Sequence, residues 1–293
     1  MCTHTTEAAP GERRDSEARM EPTRSRDPHG ELSEEDARGI RQVVDRLRKA
    51  RRVLAVTGAG MSADSGMPTY RGVGGLYRSN RPTSHGLAIE EVLSGPVFRA
   101  HPELTWNYLR EIERACRGAR PNRGHHVLAE MQGYFDDVWI LTQNVDGLHE
   151  EAGSRNVLDV HGDLHELRCT RCLYRARVEN YDALGLTPHC PECRAVLRPD
   201  VVLFGEPLEP SKIRRLESEL KKGFDLVFSI GTSSLFDYVV APLRIAQAAG
   251  KPTVEINPDV TAMSDFVDVR IRARAALALD RIWDGYMEWW PHT

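Results

Sequence analysis

Four cysteines stand in two pairs, CTRC at 169–172 and CPEC at 190–193, with 17 residues between them. Two knuckles that each offer two thiolates at this spacing suit a tetrahedral zinc ion, so Cys169, Cys172, Cys190 and Cys193 are the expected ligands. Four sulfurs close the coordination shell, which makes such a zinc structural and leaves no place for a reacting water. Two disulfides or four free thiols are the alternatives; the N-terminal stretch has no apolar h-region to favour an oxidising compartment. Cys116 lies in a helical pattern and reads as a packed or surface thiol.

Polar groups of a different kind follow three apolar runs. TGAGMSADSGMPTYRG (57–72) comes directly after RRVLAV, and Gly58-x-Gly60-x-x-Ala63 has the spacing of a dinucleotide-binding turn. Gly58 would permit the tight turn, Gly60 would let backbone N–H groups approach a pyrophosphate, and Ala63 would let a following helix pack close. A hydride-transfer enzyme would also carry an acidic residue about 20 positions on, at the end of a second strand. Residues 65–86 are instead rich in Gly, Pro, Ser and Arg and read as a loop over the ligand. TQNVDGLH (142–149) and HGDLHE (161–166) supply amide, carboxylate and imidazole groups. Those residue types suit catalysis at strand ends; they equally suit turn caps at Asn144 and Asp146 and a hydrogen-bonded strand-end histidine at His161.

The elements that must position these groups are apolar, β-branched runs at 51–56, 138–144, 157–162, 225–231, 253–257 and 268–272, separated mostly by helical patterns. One such pattern starts at Glu34, and another covers 103–116. The alternation predicts an α/β fold, an open and mainly parallel sheet with helices on both faces, whose ligands gather at the carboxyl ends of strands. The cysteine pairs interrupt the alternation and therefore mark an inserted ribbon at 165–197. The large domain is then 36–164 together with 198–287, with a helical and cofactor-loop segment at about 61–125, and 288–293 is a tail. Residues 1–35 mix both charges with Pro, Gly and Ser and read as a disordered leader.

At 293 residues and 41% hydrophobic content the chain can bury one large core and a small module, and it has no apolar run of bilayer length. Lys and Arg number 39 against 43 Asp and Glu, a formal charge of −4, so neither direct nucleic-acid binding nor membrane association is expected. The acidic residues of the leader argue against a transit peptide, and the cytoplasm is the expected location.

The ordered set GAGMSADSGMPTYRG, TQNVDGLH, HG before CTRC and CPEC, LRPDVVLFGE, GTSS and INP resembles the sirtuins, NAD-dependent protein lysine deacylases, over about residues 51–283. That likeness implies a Rossmann-like sheet with a zinc ribbon, and NAD as a cosubstrate that is cleaved. It implies that Ala59, Gly60, Ser65, Tyr70 and Arg71, with Gly58, line the phosphates and the nicotinamide ribose. Gln143, Asn144 and Asp146 would hold ribose and carboxamide, Asn144 as part of the catalytic apparatus. Gly231, Thr232 and Ser233 would meet the adenosine phosphate or ribose, Asn257 the adenine ribose, and Arg274 with Ala275 the adenine. His161 would be the general base on a ribose hydroxyl, after the acyl-lysine oxygen has displaced nicotinamide, and the products would be lysine and O-acyl-ADP-ribose. The loop carries Tyr70 where the family usually has Phe. A mono-ADP-ribosyltransferase or NAD glycohydrolase of the same family is the second reading, and a non-catalytic zinc-ribbon binding module the third.

An acyl-lysine peptide would enter between ribbon and large domain. VVLFGE (201–206) reads as a strand that the peptide could join through backbone hydrogen bonds, with Val202, Phe204, Gly205 and Glu206 as contacts. Relatives that remove succinyl and malonyl groups read the acyl carboxylate with a Tyr and an Arg three apart on one helix. Counted from Trp106, those positions are Leu109 and Ile112, and Arg110 should point elsewhere. The expected substrates therefore carry acetyl or longer apolar acyl groups, and acidic ones are disfavoured.

Overall fold

The computed structural model describes residues 32–68 and 86–290. Most of the leader, together with Tyr70 and Arg71, lies outside the described residues. The strands are β1 Arg52–Thr57, β2 Asp137–Thr142, β3 Val157–Asp159, β4 Gly162–Cys169, β5 Arg175–Arg177, β6 Leu197–Val201, β7 Leu226–Ile230, β8 Thr253–Ile256 and β9 Val269–Ile271. The helices are α1 Glu34–Leu47, α2 Ile89–Val92, α3 Gly95–Ala100, α4 Pro102–Cys116, α5 Arg123–Met131, α6 Leu148–Glu151, α7 Pro210–Lys222, α8 Asp237–Ala248 and α9 Ala275–Trp289.

Six strands form one sheet in the order β3-β2-β1-β7-β8-β9, every pair parallel. Numbered within that sheet alone, this is the 3-2-1-4-5-6 order of a doubly wound dinucleotide-binding fold, with its switch point between β1 and β7. The strands are apolar throughout because both faces are covered. Val53 and Ala55 of β1 join the core under α1, α5 and α9, whereas Leu54 and Val56 join the core under α8 on the other face.

The remaining strands form a small antiparallel sheet, β5-β4-β6. A third apolar cluster, with Trp106, Leu109 and Ile112 of α4 and Leu164, Leu167 and Tyr181 of the insertion, glues this sheet to α4. Trp106 Nε1 donates to Leu197 C=O at 2.9 Å, so the buried indole leaves no unpaired donor.

Several boundaries differ from the sequence reading. Ser33 caps α1 by accepting from Asp36 N–H, so Glu34 and Glu35 belong to the helix and not to the leader. The antiparallel sheet begins at Gly162 and ends at Val201, outside the 165–197 expected for the ribbon, and α9 runs into the stretch read as a tail. Of segment 201–206 only Val201 belongs to a strand, as the last residue of β6; 202–206 is not a strand. The pairing partner of β4 is the more polar LRPDV, which tolerates Pro199 because β6 is an edge strand and Pro199 falls beside a bulge between Asp163 and Leu167.

Candidate active site

At the switch point the ends of β1 and β7 are held against each other by glycine. Gly60 N–H donates to Gly231 C=O at 2.8 Å, and a Cβ on Gly60 would stand 2.6 Å from Gly231 Cα. Gly58 is extended, at φ −134°, so it does not make the tight turn expected of it; its bare Cα leaves room for Gly231 and Thr232. Two short 3-10 turns, Ala59–Met61 and Ala63–Ser65, follow in place of the helix that Ala63 was expected to let pack close.

The ends of β1, β2, β7 and β8 then share hydrogen bonds. Gln143 Nε2 donates to Thr232 Oγ1 at 2.8 Å, and Asn257 Nδ2 to Thr232 C=O at 3.1 Å. Asn144 Nδ2 donates to Gly58 C=O and to Ser62 Oγ, both at 3.1 Å, and the Ser62 hydroxyl in turn donates a hydrogen bond to Asp146 Oδ2 at 2.7 Å. Desolvation raises the Asp146 carboxyl above its ordinary range, against the hydrogen bonds from Leu148 N–H and Ser62.

One cavity of about 910 Å³ runs from this crevice to the small sheet. Gly58, Ala59, Gly60, Gln143, Asn144, Gly231, Thr232, Ser233, Asn257 and Arg274 line one arm; Leu109, Ile112, Val202, Phe204, Gly205 and Glu206 line the other. Three expected contacts stand outside that lining: Ser65, whose Oγ accepts from Asn122 Nδ2; Ala275, buried at the start of α9; and Asp146, which borders a small polar cavity next door. Arg274 is tied to Asp64 at 2.7 Å.

His161 sits where the arms meet, between β3 and β4. Gly162 follows it at φ 84°, and a Cβ there would collide with Asp200 C=O of β6, which is why the pair reads His-Gly. Nδ1 of His161 lies 2.9 Å from Gln143 C=O, which can only accept, so Nδ1 carries the proton and Nε2 holds the lone pair. Burial lowers the imidazole pKa below its ordinary value, the Gln143 carbonyl opposes this, and the charge of Lys212 adds to it. Nε2 meets the Tyr238 hydroxyl at 2.5 Å. The sequence reading missed Tyr238; the signal available was a run of aromatics, Phe236 and Tyr238, directly after GTSS.

The apolar arm is closed by Leu93, Leu109, Ile112, Leu164 and Leu203. Arg110 is buried on the other side of α4, where its guanidinium donates to the carbonyls of Tyr181, Leu184 and Gly185. Beyond Val201 the chain forms a turn. Phe204 N–H donates to Leu93 C=O, Phe204 C=O accepts from Gly95 N–H, and Leu203 N–H donates to Glu206. The Glu206 carboxylate also takes both arms of Arg198, at 2.7 and 2.9 Å, which holds it below the usual carboxylate range although burial works against ionisation. Among the described residues Val202 C=O and Gly205 N–H keep no protein partner.

In the insertion the four expected sulfurs lie within 4.8 Å of one another, with Cys169 to Cys193 at 3.4 Å and Cys172 to Cys190 at 3.6 Å. A disulfide needs about 2.05 Å, whereas zinc at ~2.3 Å from each sulfur spaces them by ~3.8 Å. The donor set fits a zinc ion.

The model of the Sir2 family matches residues 58–238. The chain is 48% identical over 239 residues to NAD-dependent protein deacylase 2 of Pseudomonas aeruginosa, covering 80% of this chain and 93% of that one. It is 38% identical to the protein of the same name from Pyrobaculum aerophilum, over 82% and 93% of the two chains. Among solved structures, a Sir2 homologue in complex with NAD superposes with a TM-score of 0.75 at 33% identity, over 89% of this chain and 97% of that one. A structure described as Sir2-p53 peptide-NAD+ superposes with a TM-score of 0.72 at 28% identity, over 84% and 97%.

Proposed function

The chain belongs to the Sir2 family and is an NAD-dependent protein deacylase, and from that premise we propose that His161 is its base and that acetyl-lysine is its preferred substrate. One observation carries the assignment of His161. It is an imidazole of fixed tautomer, with its basic nitrogen turned toward the cavity, placed where the glycine-lined arm and the apolar arm meet.

NAD brings the leaving group, and the protein supplies position, charge stabilisation and a base. The crevice at the ends of β1 and β7 takes the pyrophosphate, over backbone that the mutual packing of Gly60 and Gly231 holds close. Thr232, Ser233 and Asn257 hold the adenosine side, and Asn144, anchored on Gly58 and Ser62, turns its remaining carbonyl group to the nicotinamide side. The acyl-lysine lies in the apolar arm, its peptide backbone paired with the free Val202 C=O and Gly205 N–H. Once the acyl-lysine oxygen has displaced nicotinamide from the ribose carbon, His161 takes the proton of a ribose hydroxyl at Nε2, that oxygen closes on the acyl carbon, and addition of water with cleavage of the carbon–nitrogen bond frees the lysine amine and leaves the acyl group on ADP-ribose. A zinc held by Cys169, Cys172, Cys190 and Cys193 supplies a rigid clasp for the small sheet and no chemistry.

His161→Ala is expected to abolish deacylation, by 100-fold or more in kcat on the order of a lost general base, while NAD still binds with near wild-type affinity. Turnover within a few fold of wild type in that variant would remove His161 from the role.

A further inference from the structure

His161 already has a partner on its basic nitrogen. Its Nδ1–H is committed to Gln143 C=O, so at Nε2 the ring accepts, and the group that donates is the Tyr238 hydroxyl at 2.5 Å. Tyr238 stands on the first turn of α8, half-buried, and lines the cavity. Its ring stacks on Phe236 with centroids 5.5 Å apart and planes 14° from parallel, and it meets the imidazole edge-on at 5.9 Å. The loop leading to it is fixed by Ser234, held at φ 55° with its N–H on Thr232 Oγ1. The phenol therefore arrives at Nε2 through an ordered segment that also borders the dinucleotide crevice.

We propose that Tyr238 is the resting partner of His161, a positioning residue that occupies the place a ribose hydroxyl must take before it can be deprotonated. This rests on His161 being the base. Burial pushes the phenol pKa above its ordinary value, so Tyr238 is a donor throughout the neutral range. Its hydrogen bond favours neutral imidazole and holds the ring with Nε2 facing the cavity. When NAD binds, Nε2 is handed from one hydroxyl to another; the phenol keeps its own proton and turns aside. The charged neighbour of the imidazole is Lys212 of α7, paired with Asp159 at the end of β3; the β2 side contributes the Gln143 carbonyl, and α8 contributes Tyr238.

Tyr238→Phe removes the hydroxyl and keeps the ring. Titration of the His161 ring by NMR in the free full-length protein is expected to show its pKa about one pH unit higher in the variant, the size of one lost hydrogen bond to the neutral form. The acid limb of kcat/KM for NAD, which reports the free enzyme, moves up with it and costs about fivefold near the wild-type pKa, while the limb of kcat, which reports the bound complex, stays in place. Phe236→Leu disturbs the stack but keeps the hydroxyl, and should titrate like wild type. Identical His161 titrations in wild type and Tyr238→Phe would overturn the proposal, as would a kcat limb that shifts equally, because the phenol would then remain bonded through the reaction. Those outcomes leave the assignment of the base untouched; only an active His161→Ala sinks that.

Discussion

His161, the proposed base, is placed by more than its own side chain. Gly162 lets β6 pass close enough to place the ring, Gln143 C=O selects the tautomer, and Tyr238 occupies the working nitrogen. Two other histidines are buried for a different purpose. His125 and His149 face each other with ring centroids 4.8 Å apart; His149 Nε2 is tied to Thr57 Oγ1 at 3.0 Å, and His125 Nδ1 accepts from Asn122 N–H at 3.2 Å. Desolvation lowers both, His125 to about 4 from its ordinary 6.5. An unfolded chain protonates these rings first, so it binds more protons than the native one between about pH 6.5 and 4, and stability falls as the pH falls through that window. His125 alone accounts for about 2 kcal/mol by pH 5. Urea midpoints at pH 7 and pH 5 check this: the stability advantage of wild type over His125→Gln should narrow at the lower pH, and a constant difference would contradict it.

At the scale of elements, the proposed preference for acetyl-lysine rests on α4. Helical spacing carries Leu109 and Ile112 to the cavity and turns Arg110 to the far side, where three backbone carbonyls hold it. An acyl carboxylate in the apolar arm would lose water and meet neither that cation nor another on the helix face, a cost of at least several kcal/mol. Acetyl-lysine is expected to exceed succinyl-lysine by 100-fold or more in kcat/KM on one peptide sequence, and a preference for succinyl would contradict the placement of this wall. The orientation of α4 was legible from periodicity, as were all six strands of the parallel sheet, because a sheet covered on both faces writes itself as apolar β-branched runs. The strand β6 was not. Its partner β4 lies some thirty residues away, and that pairing selects LRPDV over the better strand former VVLFGE, whose backbone is spent on Leu93, Gly95 and Glu206. Tyr238 escaped for a like reason: its contact with His161 spans 77 residues, and the aromatics after GTSS do not by themselves say what they touch.

In the whole molecule, the parallel sheet makes one wall of the cavity and the inserted sheet the other, so both must be rigid for one site to exist. The large sheet has two apolar cores of its own. The insertion has a cluster shared with α4 and four thiols within 4.8 Å. Thiolate ligation then contributes folding free energy that so small a sheet lacks. Cys169→Ser or Cys193→Ser should lower zinc content from one per chain, bring Tm down by roughly 5–10 °C and reduce deacylation together. Fully active protein that contains no zinc would contradict it.

In the reading proposed for this protein, the two arms of one cavity couple NAD cleavage to acyl transfer. The most direct test is to incubate the protein with NAD and an acetyl-lysine peptide and count products by mass. One nicotinamide and one O-acetyl-ADP-ribose are expected for each deacetylated lysine. Nicotinamide released with free ADP-ribose or ADP-ribosylated protein, and with the acetyl-lysine left intact, would contradict it.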